Sequence, residues 1–450
     1  MTTASGGSAQ HAESGRQIGF STAASVIIAN MVGTGVFTSL GFQVLGTREG
    51  FALLALWAVG GVVALCGALS YAELGAAYPH SGGEYVYLGK IYSPLLGFLG
   101  GWVSMTVGFA APIALAALAF GRYVSVVTAV PPLLGSVLVL VLVAAVHASD
   151  LQLARRFQVG LTTLELALIA GFIVAGVAYQ TPEPISFAPS AQAWREMVQP
   201  AFAVSLIYVS YAFSGWNAAG YIAGEIHRPT RNIPLALVSG TSLVAMLYLV
   251  LNWTFLRTIP IGQLGGVVEV GALSAKAMFG PAGGRFMSGM IAMLLVATIS
   301  AMVLAGSRVT EAVSRDLARL SMIGARTARN VPRNAILLQV GITLALLLTN
   351  SVERVMTYAG FTLNLNTLLA VVGLFIVRRR EPHRVLPYRT WGYPVVPLVF
   401  IVVSVWTLGF VLTERPLASL AGLATVAAGV AIYWWDSRGA KETHDGGTRS

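Results

Sequence analysis

Ile28-Ala29-Asn30-Met31-Val32-Gly33-Thr34-Gly35-Val36-Phe37 lies inside an apolar stretch, 18–41, long enough to cross a bilayer. Two glycines flank a β-branched threonine, and each glycine costs a helix interior about 1 kcal/mol relative to alanine. A helix that breaks in hydrocarbon frees N–H and C=O groups that lipid cannot satisfy. Such backbone persists only where it is buried in protein or lines a cavity. The stretch therefore predicts an interrupted helix with a site beside it. A second stretch of the same kind, Tyr211-Ala212-Phe213-Ser214-Gly215-Trp216-Asn217, sits at comparable depth in the apolar stretch 200–223.

The rest of the chain has the same character. Of 450 residues, 56% are hydrophobic and 10% charged, against roughly 25% charged in soluble domains, and the mean hydropathy is +0.74. Apolar stretches at 18–41, 51–72, 94–121, 133–149, 157–179, 200–223, 235–256, 286–307, 335–350, 355–377, 394–413 and 416–435 predict an all-α membrane protein with twelve transmembrane helices. The single cysteine, Cys66, excludes an internal disulfide, and six scattered histidines offer no metal-ligand cluster. No cofactor is expected. Neither His-Glu-x-x-His nor Gly-x-Ser-x-Gly occurs, which removes the common membrane-enzyme readings.

The net charge of +10 is a matter of topology. With the N-terminus cytoplasmic, 20 of the 28 lysines and arginines fall on the inner side, which places both termini in the cytoplasm and needs no nucleic acid to explain the basic loops. The expected location is the plasma (inner) membrane. The first apolar stretch is retained rather than cleaved as a signal, the polar segment 1–17 reads as a disordered cytoplasmic tail, and 436–450 reads as a second tail.

Spans one and six occupy matching places in two five-helix units, 18–179 and 200–377, followed by two further helices at 394–435. Five is odd, so the second unit enters the membrane from the opposite side and the core is a 5+5 inverted repeat. In that architecture half-helix N-termini face an anionic group while freed carbonyls face a cation. An α-amino acid carries both charges on one carbon. A symmetric pore would make a channel instead, but a site closed on both sides suits a carrier.

These residues resemble the amino acid-polyamine-organocation superfamily, and within it the L-amino-acid transporter branch. The resemblance rests on Gly33-Thr34-Gly35-Val36-Phe37, on Ser81-Gly82-Gly83-Glu84-Tyr85-Val86-Tyr87-Leu88, and on Phe213-Ser214-Gly215-Trp216-Asn217. It extends through Glu225-Ile226-His227-Arg228-Pro229-Thr230-Arg231-Asn232-Ile233-Pro234 and Pro387-Tyr388-Arg389-Thr390-Trp391-Gly392-Tyr393-Pro394. It implies amino acid transport by alternating access. N–H groups around Gly33, Thr34 and Gly35 would hold the substrate carboxylate, and carbonyls of Met31, Tyr211 and Ser214 its ammonium. Tyr211 would close over the substrate from outside, with Asn30, Gly215, Trp216 and Asn217 flanking the site. Apart from Glu165 the spans hold no Asp, Glu, Lys or Arg, so neutral amino acids are the expected substrates; the alternatives are an uncoupled amino acid exchanger and a carrier of polyamines or cationic amino acids. No accessory subunit is evident, and no external cysteine is available to link one.

Glu165 departs from the resemblance, because many transporters of this branch have a lysine there. It lies eight residues past Phe157, about 12 Å along a helix and near the midplane, where an ionisable group is costly and belongs to a pathway or coupling site. The resemblance builds that site from first-span carbonyls at Ala29 and Val32 and from groups around Thr298 and Ser300. A carboxylate among such oxygens can hold Na+, or take up and release H+ when desolvated. The structural alternative is a permanently protonated Glu165 bonded to Thr298 or to a backbone carbonyl. Glu73, Glu84 and Glu225, near Lys90, Arg228, Arg231, Arg308 and Arg315, are expected either as ion pairs latching the inner gate or as ordinary interfacial charges. His147, at a span end, reads as a satisfied interfacial histidine.

Overall fold

A computed structural model of the protein describes residues 18–149, 166–315, 317, 319–327, 331–383 and 386–446. Glu165 and the segment 1–17 lie outside these residues. Regular structure among the described residues is helical, apart from one isolated β-bridge between Ile18 and Ile226. Among the described residues, eight helices are long and apolar enough to cross a membrane: Phe20–Thr38, Gly50–Ala77, Pro94–Val127, Pro229–Thr258, Val270–Ser314, Val352–Arg380, Val395–Glu414 and Pro416–Ser437. Four shorter apolar helices, Pro132–Ala148, Leu166–Ala178, Pro200–Ala212 and Arg333–Leu347, stand at the fourth, fifth, sixth and ninth sequence stretches. The sixth is short because its helix stops at Ala212, inside the glycine-bearing motif.

Several helices overrun the hydropathy boundaries. The helix at the eighth stretch runs from Val270 to Arg315, interrupted at Gly280 (φ 74°) just before Pro281, where the proline ring cannot continue a regular turn. The last helix continues to Gly446. Between the fifth and sixth stretches a further helix, Ala191–Met197, packs against the second span. Glu196 Oε2 there accepts from the backbone N–H groups of Arg48 and Glu49, each at 3.0 Å, which satisfies donors at the entry to that span.

The spans sort into two packing groups. The second and seventh pack face to face and the first lies against the seventh, while the third packs against the eighth, fourth and ninth. Within the third span, Ser104–Phe109 is a π-helical segment, a distortion frequent at functional sites, and Gly108 and Phe109 line the central cavity.

The buried acids do not form the expected latch with Arg228, Arg231 or Arg308. Glu73, 1% exposed, accepts from Arg378 Nε at 2.8 Å and Nη2 at 2.7 Å, and from the backbone N–H of Thr390. Arg378 also lies 3.7 Å from the centroid of the Tyr393 ring. A fully buried carboxylate needs several donors, and a planar guanidinium fork with a backbone N–H supplies them. The pair ties the second span to the tenth and to the loop ahead of the eleventh. Glu311 is taken by Arg326 at 2.6 Å.

Candidate functional site

The first span breaks where the two glycines predict a break. Phe20–Met31 ends, Val32 and Gly33 are extended, and a new helix begins at Thr34. The leading N–H groups of that second half-helix have no partner within it. The sixth span ends at Ala212, turns through Phe213–Asn217 with Gly215 at φ 103°, and resumes as Ala218–Tyr221.

The two breaks touch. A Cβ on Gly215 would lie 2.6 Å from the Asn30 carbonyl oxygen, and one on Gly35 would lie 2.5 Å from Ala212 Cα. Only glycine allows backbones this close, and at Gly215 only glycine adopts the dihedral without strain. Asn30 Nδ2 donates to Val26 O at 2.8 Å.

Beside the seam lies a cavity of about 550 Å³, within the roughly 300–1,000 Å³ usual for small-molecule sites. Asn30, Met31, Val32, Gly33, Thr34 and Gly35 line it from the first span, Tyr211, Ser214, Gly215, Trp216 and Asn217 from the sixth, and Thr298 from the eighth. Its apolar wall includes Val63, Ala64, Phe109, Pro112, Met302 and Phe400. The cavity extends to Ser81, Glu225 and Arg308, all three exposed, and so opens toward the side that carries Arg228, Arg231 and Arg308.

A buried aromatic cluster packs around Phe213, which lines the cavity. Trp57, Phe213 and Tyr248 are each at most 1% exposed and meet at ring-centroid distances of 5.1–6.2 Å. Trp57 Nε1 donates to Gln43 Oε1 at 3.0 Å. Tyr211 is 5% exposed at the cavity edge.

Sequence reasoning missed Tyr248. Its hydroxyl faces the carbonyls of Met31, at 2.5 Å, and Ala212, at 3.2 Å, the last residues before each break. One side chain of the seventh span thus satisfies both freed helix ends, and nothing in its local sequence marks it for that. Tyr248→Phe is expected to cost about 1–3 kcal/mol of stability, because buried carbonyls lose their donor, and to weaken substrate binding, as read by thermal unfolding with and without ligand.

Of the residues grouped with Glu165, Val32 and Thr298 both line the cavity, while Ala29 and Ser300 do not. Thr298 faces the first break, its Cγ2 3.7 Å from the position of a Cβ on Gly33. Ser300, two residues on, turns away and its Oγ lies 2.8 Å from His147 Nε2. His147 is 2% exposed, a buried side chain rather than an interfacial one, and its Nδ1 has no partner. Ala29 is not among the cavity-lining residues. Glu84 is legible only in part: it follows two glycines in one of the family-like motifs, yet it is 2% exposed and lines the cavity instead of pairing with a surface base.

The profile of the amino acid permease family matches residues 18–434. The chain belongs to that family. Among relatives, it is 27% identical over 433 residues to the large neutral amino acids transporter small subunit 2 of Rattus norvegicus, covering 93% of this chain and 80% of the relative. It is 27% identical to the Asc-type amino acid transporter 1 of Mus musculus, over 93% and 81% of the two chains. It is 26% identical to the cystine/glutamate transporter of Homo sapiens, over 92% and 84%. This permease is a transport protein rather than an enzyme, and its paired broken helices sit within the matched region.

Proposed function

We propose that this permease is a secondary active carrier that moves L-amino acids across the plasma (inner) membrane by alternating access, with both termini cytoplasmic. The carrying observation is the seam: two interrupted spans meet beside a cavity, where N–H groups at the start of the Thr34 half-helix would hold a carboxylate and carbonyls of Met31, Tyr211 and Ser214 an ammonium. Such helix ends satisfy a carboxylate and an ammonium at once without charged side chains. On this reading the twelve apolar helices form two inverted five-helix units and a terminal pair. The cavity opening beside Arg308 is then the cytoplasmic mouth, and the packing group holding the first, second and seventh spans rocks against the one holding the third and eighth.

A thermal-shift screen of the purified full chain tests the cradle. A subset of L-amino acids is expected to raise the unfolding temperature by mass action, while the matching amines, which lack the carboxylate, do not. The absence of any shift by an L-amino acid overturns the reading, and flux that never saturates in proteoliposomes would make the protein a channel. Coupling to H+ or Na+ through Glu165 is part of the proposal. Uptake by Glu165→Gln is expected to lose its response to one of the two gradients, and an undiminished response to both removes Glu165 from coupling. Release of labelled substrate only against unlabelled external substrate would mark an exchanger. Cys66, the sole cysteine, is buried in the second span, so no thiol is exposed to link an accessory subunit.

A further inference from the structure

Neutral substrates are the expectation for a pocket that no acidic side chain reaches, and Glu84 reaches this one. Gly82 and Gly83, at φ 134° and 54°, make a turn that side chains with a Cβ rarely allow. The turn delivers Glu84 to the start of the helix Glu84–Ile91 and into the cavity wall. Oε1 accepts from Asn217 Nδ2 and from the Tyr71 hydroxyl, at 2.5 and 3.0 Å. The Tyr221 hydroxyl also interacts with this carboxylate, yet Oε2 is buried and meets no donor in hydrogen-bond geometry. The neighbouring polar groups from other elements, Tyr71, Ser104, Asn217 and Tyr221, are all neutral. Arg308, the cation that shares the cavity wall, is exposed, as is Lys90 on the same short helix, and neither pairs with Glu84.

Buried charges in folded proteins are paired or hold an ion, since an uncompensated one costs several kcal/mol. The donors here are all neutral, and they leave Oε2 without a well-formed hydrogen bond beside a ligand-sized space. A divalent ion would require more anionic oxygens, and no cluster of three metal-ligating side chains occurs among the described residues. One carboxylate matches one positive charge.

We propose that Glu84 is a monocation subsite of the substrate cavity. It is filled either by an ammonium on the substrate's own side chain or by a free Na+ that accompanies a neutral substrate. The subsite rests on the amino acid reading and specifies what travels with the zwitterion. Its occupant reaches the cradle through two links: Asn217, which ends the turn of the sixth span, donates to the same carboxylate, and Gly83 N–H donates to Gly220 O at 3.2 Å.

The test is ligand-induced thermal shift on the purified full chain, with L-leucine and L-lysine as probes in sodium chloride and in choline chloride. If the side chain supplies the charge, L-lysine stabilises the protein in both salts. If the charge is free, L-leucine binds about tenfold tighter in sodium than in choline, the strength of one charged hydrogen bond. Glu84→Gln is expected to lose either signature, and Glu84→Asp, which keeps the charge, to retain it in part. The proposal is overturned if wild-type L-leucine binding is the same in both salts while L-lysine does nothing, or if Glu84→Gln keeps the wild-type pattern. Should Glu84→Gln fail to fold, a Glu84→Asp protein whose L-leucine binding ignores the salt and which L-lysine leaves unshifted overturns it equally. A wild-type protein that no L-amino acid shifts overturns the amino acid reading instead, before the salt is varied.

Discussion

Gly215→Ala is expected to abolish transport while the chain still inserts and can be purified. Gly215 adopts φ 103°, a region that costs a side chain with a Cβ about 1–3 kcal/mol. The added methyl would also sit 2.6 Å from the Asn30 carbonyl oxygen and 2.8 Å from its carbon. Neither atom can yield, because both are backbone in the other broken span. The seam has to open, and the carbonyls of Met31 and Ser214 separate. A misfit of about 3 kcal/mol in the binding-competent state corresponds to a loss of roughly 100-fold. Uptake of a labelled L-amino acid into proteoliposomes, normalised to inserted protein, measures it. Uptake above a tenth of the wild-type rate would show that the two breaks need not touch for substrate to pass.

Glu73→Gln acts elsewhere and differently. The amide cannot accept both arms of the Arg378 fork, whose Nε and Nη2 lie 2.8 and 2.7 Å from the carboxylate. Arg378 is 20% exposed and Glu73 1%, so the orphaned guanidinium loses its partner in a place where water compensates poorly. Breaking such a pair costs about 3–5 kcal/mol. The expected result is a lower unfolding temperature in detergent, with the substrate affinity of the folded fraction unchanged. Arg378→Lys should not restore stability to a wild-type level, because an ammonium has no fork. If Glu73 worked as a gate latch instead, the substitution would change transport rate and leave stability alone.

Both breaks are legible in the order of the residues, since a helix interior is weakened by neighbours contiguous in the chain. Gly33, Gly35 and Gly215 mark the two places where helix gives way to turn. Thr298 and Ser300, which the sequence groups together, face different neighbours in the fold. At about 100° per residue, two positions along a helix are some 200° apart around it, so one looks at Gly33 and the other at His147. Glu84 shows the same limit. Its place near a span end is readable, but whether it meets a base, water or a cavity depends on helices far along the chain.

The order of amino acids suffices to show that this chain lives in lipid, is helical, and interrupts its first and sixth spans, because hydrophobic length and the cost of glycine in a helix are properties of neighbouring residues. Helix packing is what puts Gly215 on Asn30, Tyr248 on both freed helix ends, Glu73 with Arg378, and Glu84 in the cavity wall. Most of those pairings join residues more than a hundred positions apart, and they follow from the rotation and depth at which whole helices meet, which no local pattern encodes.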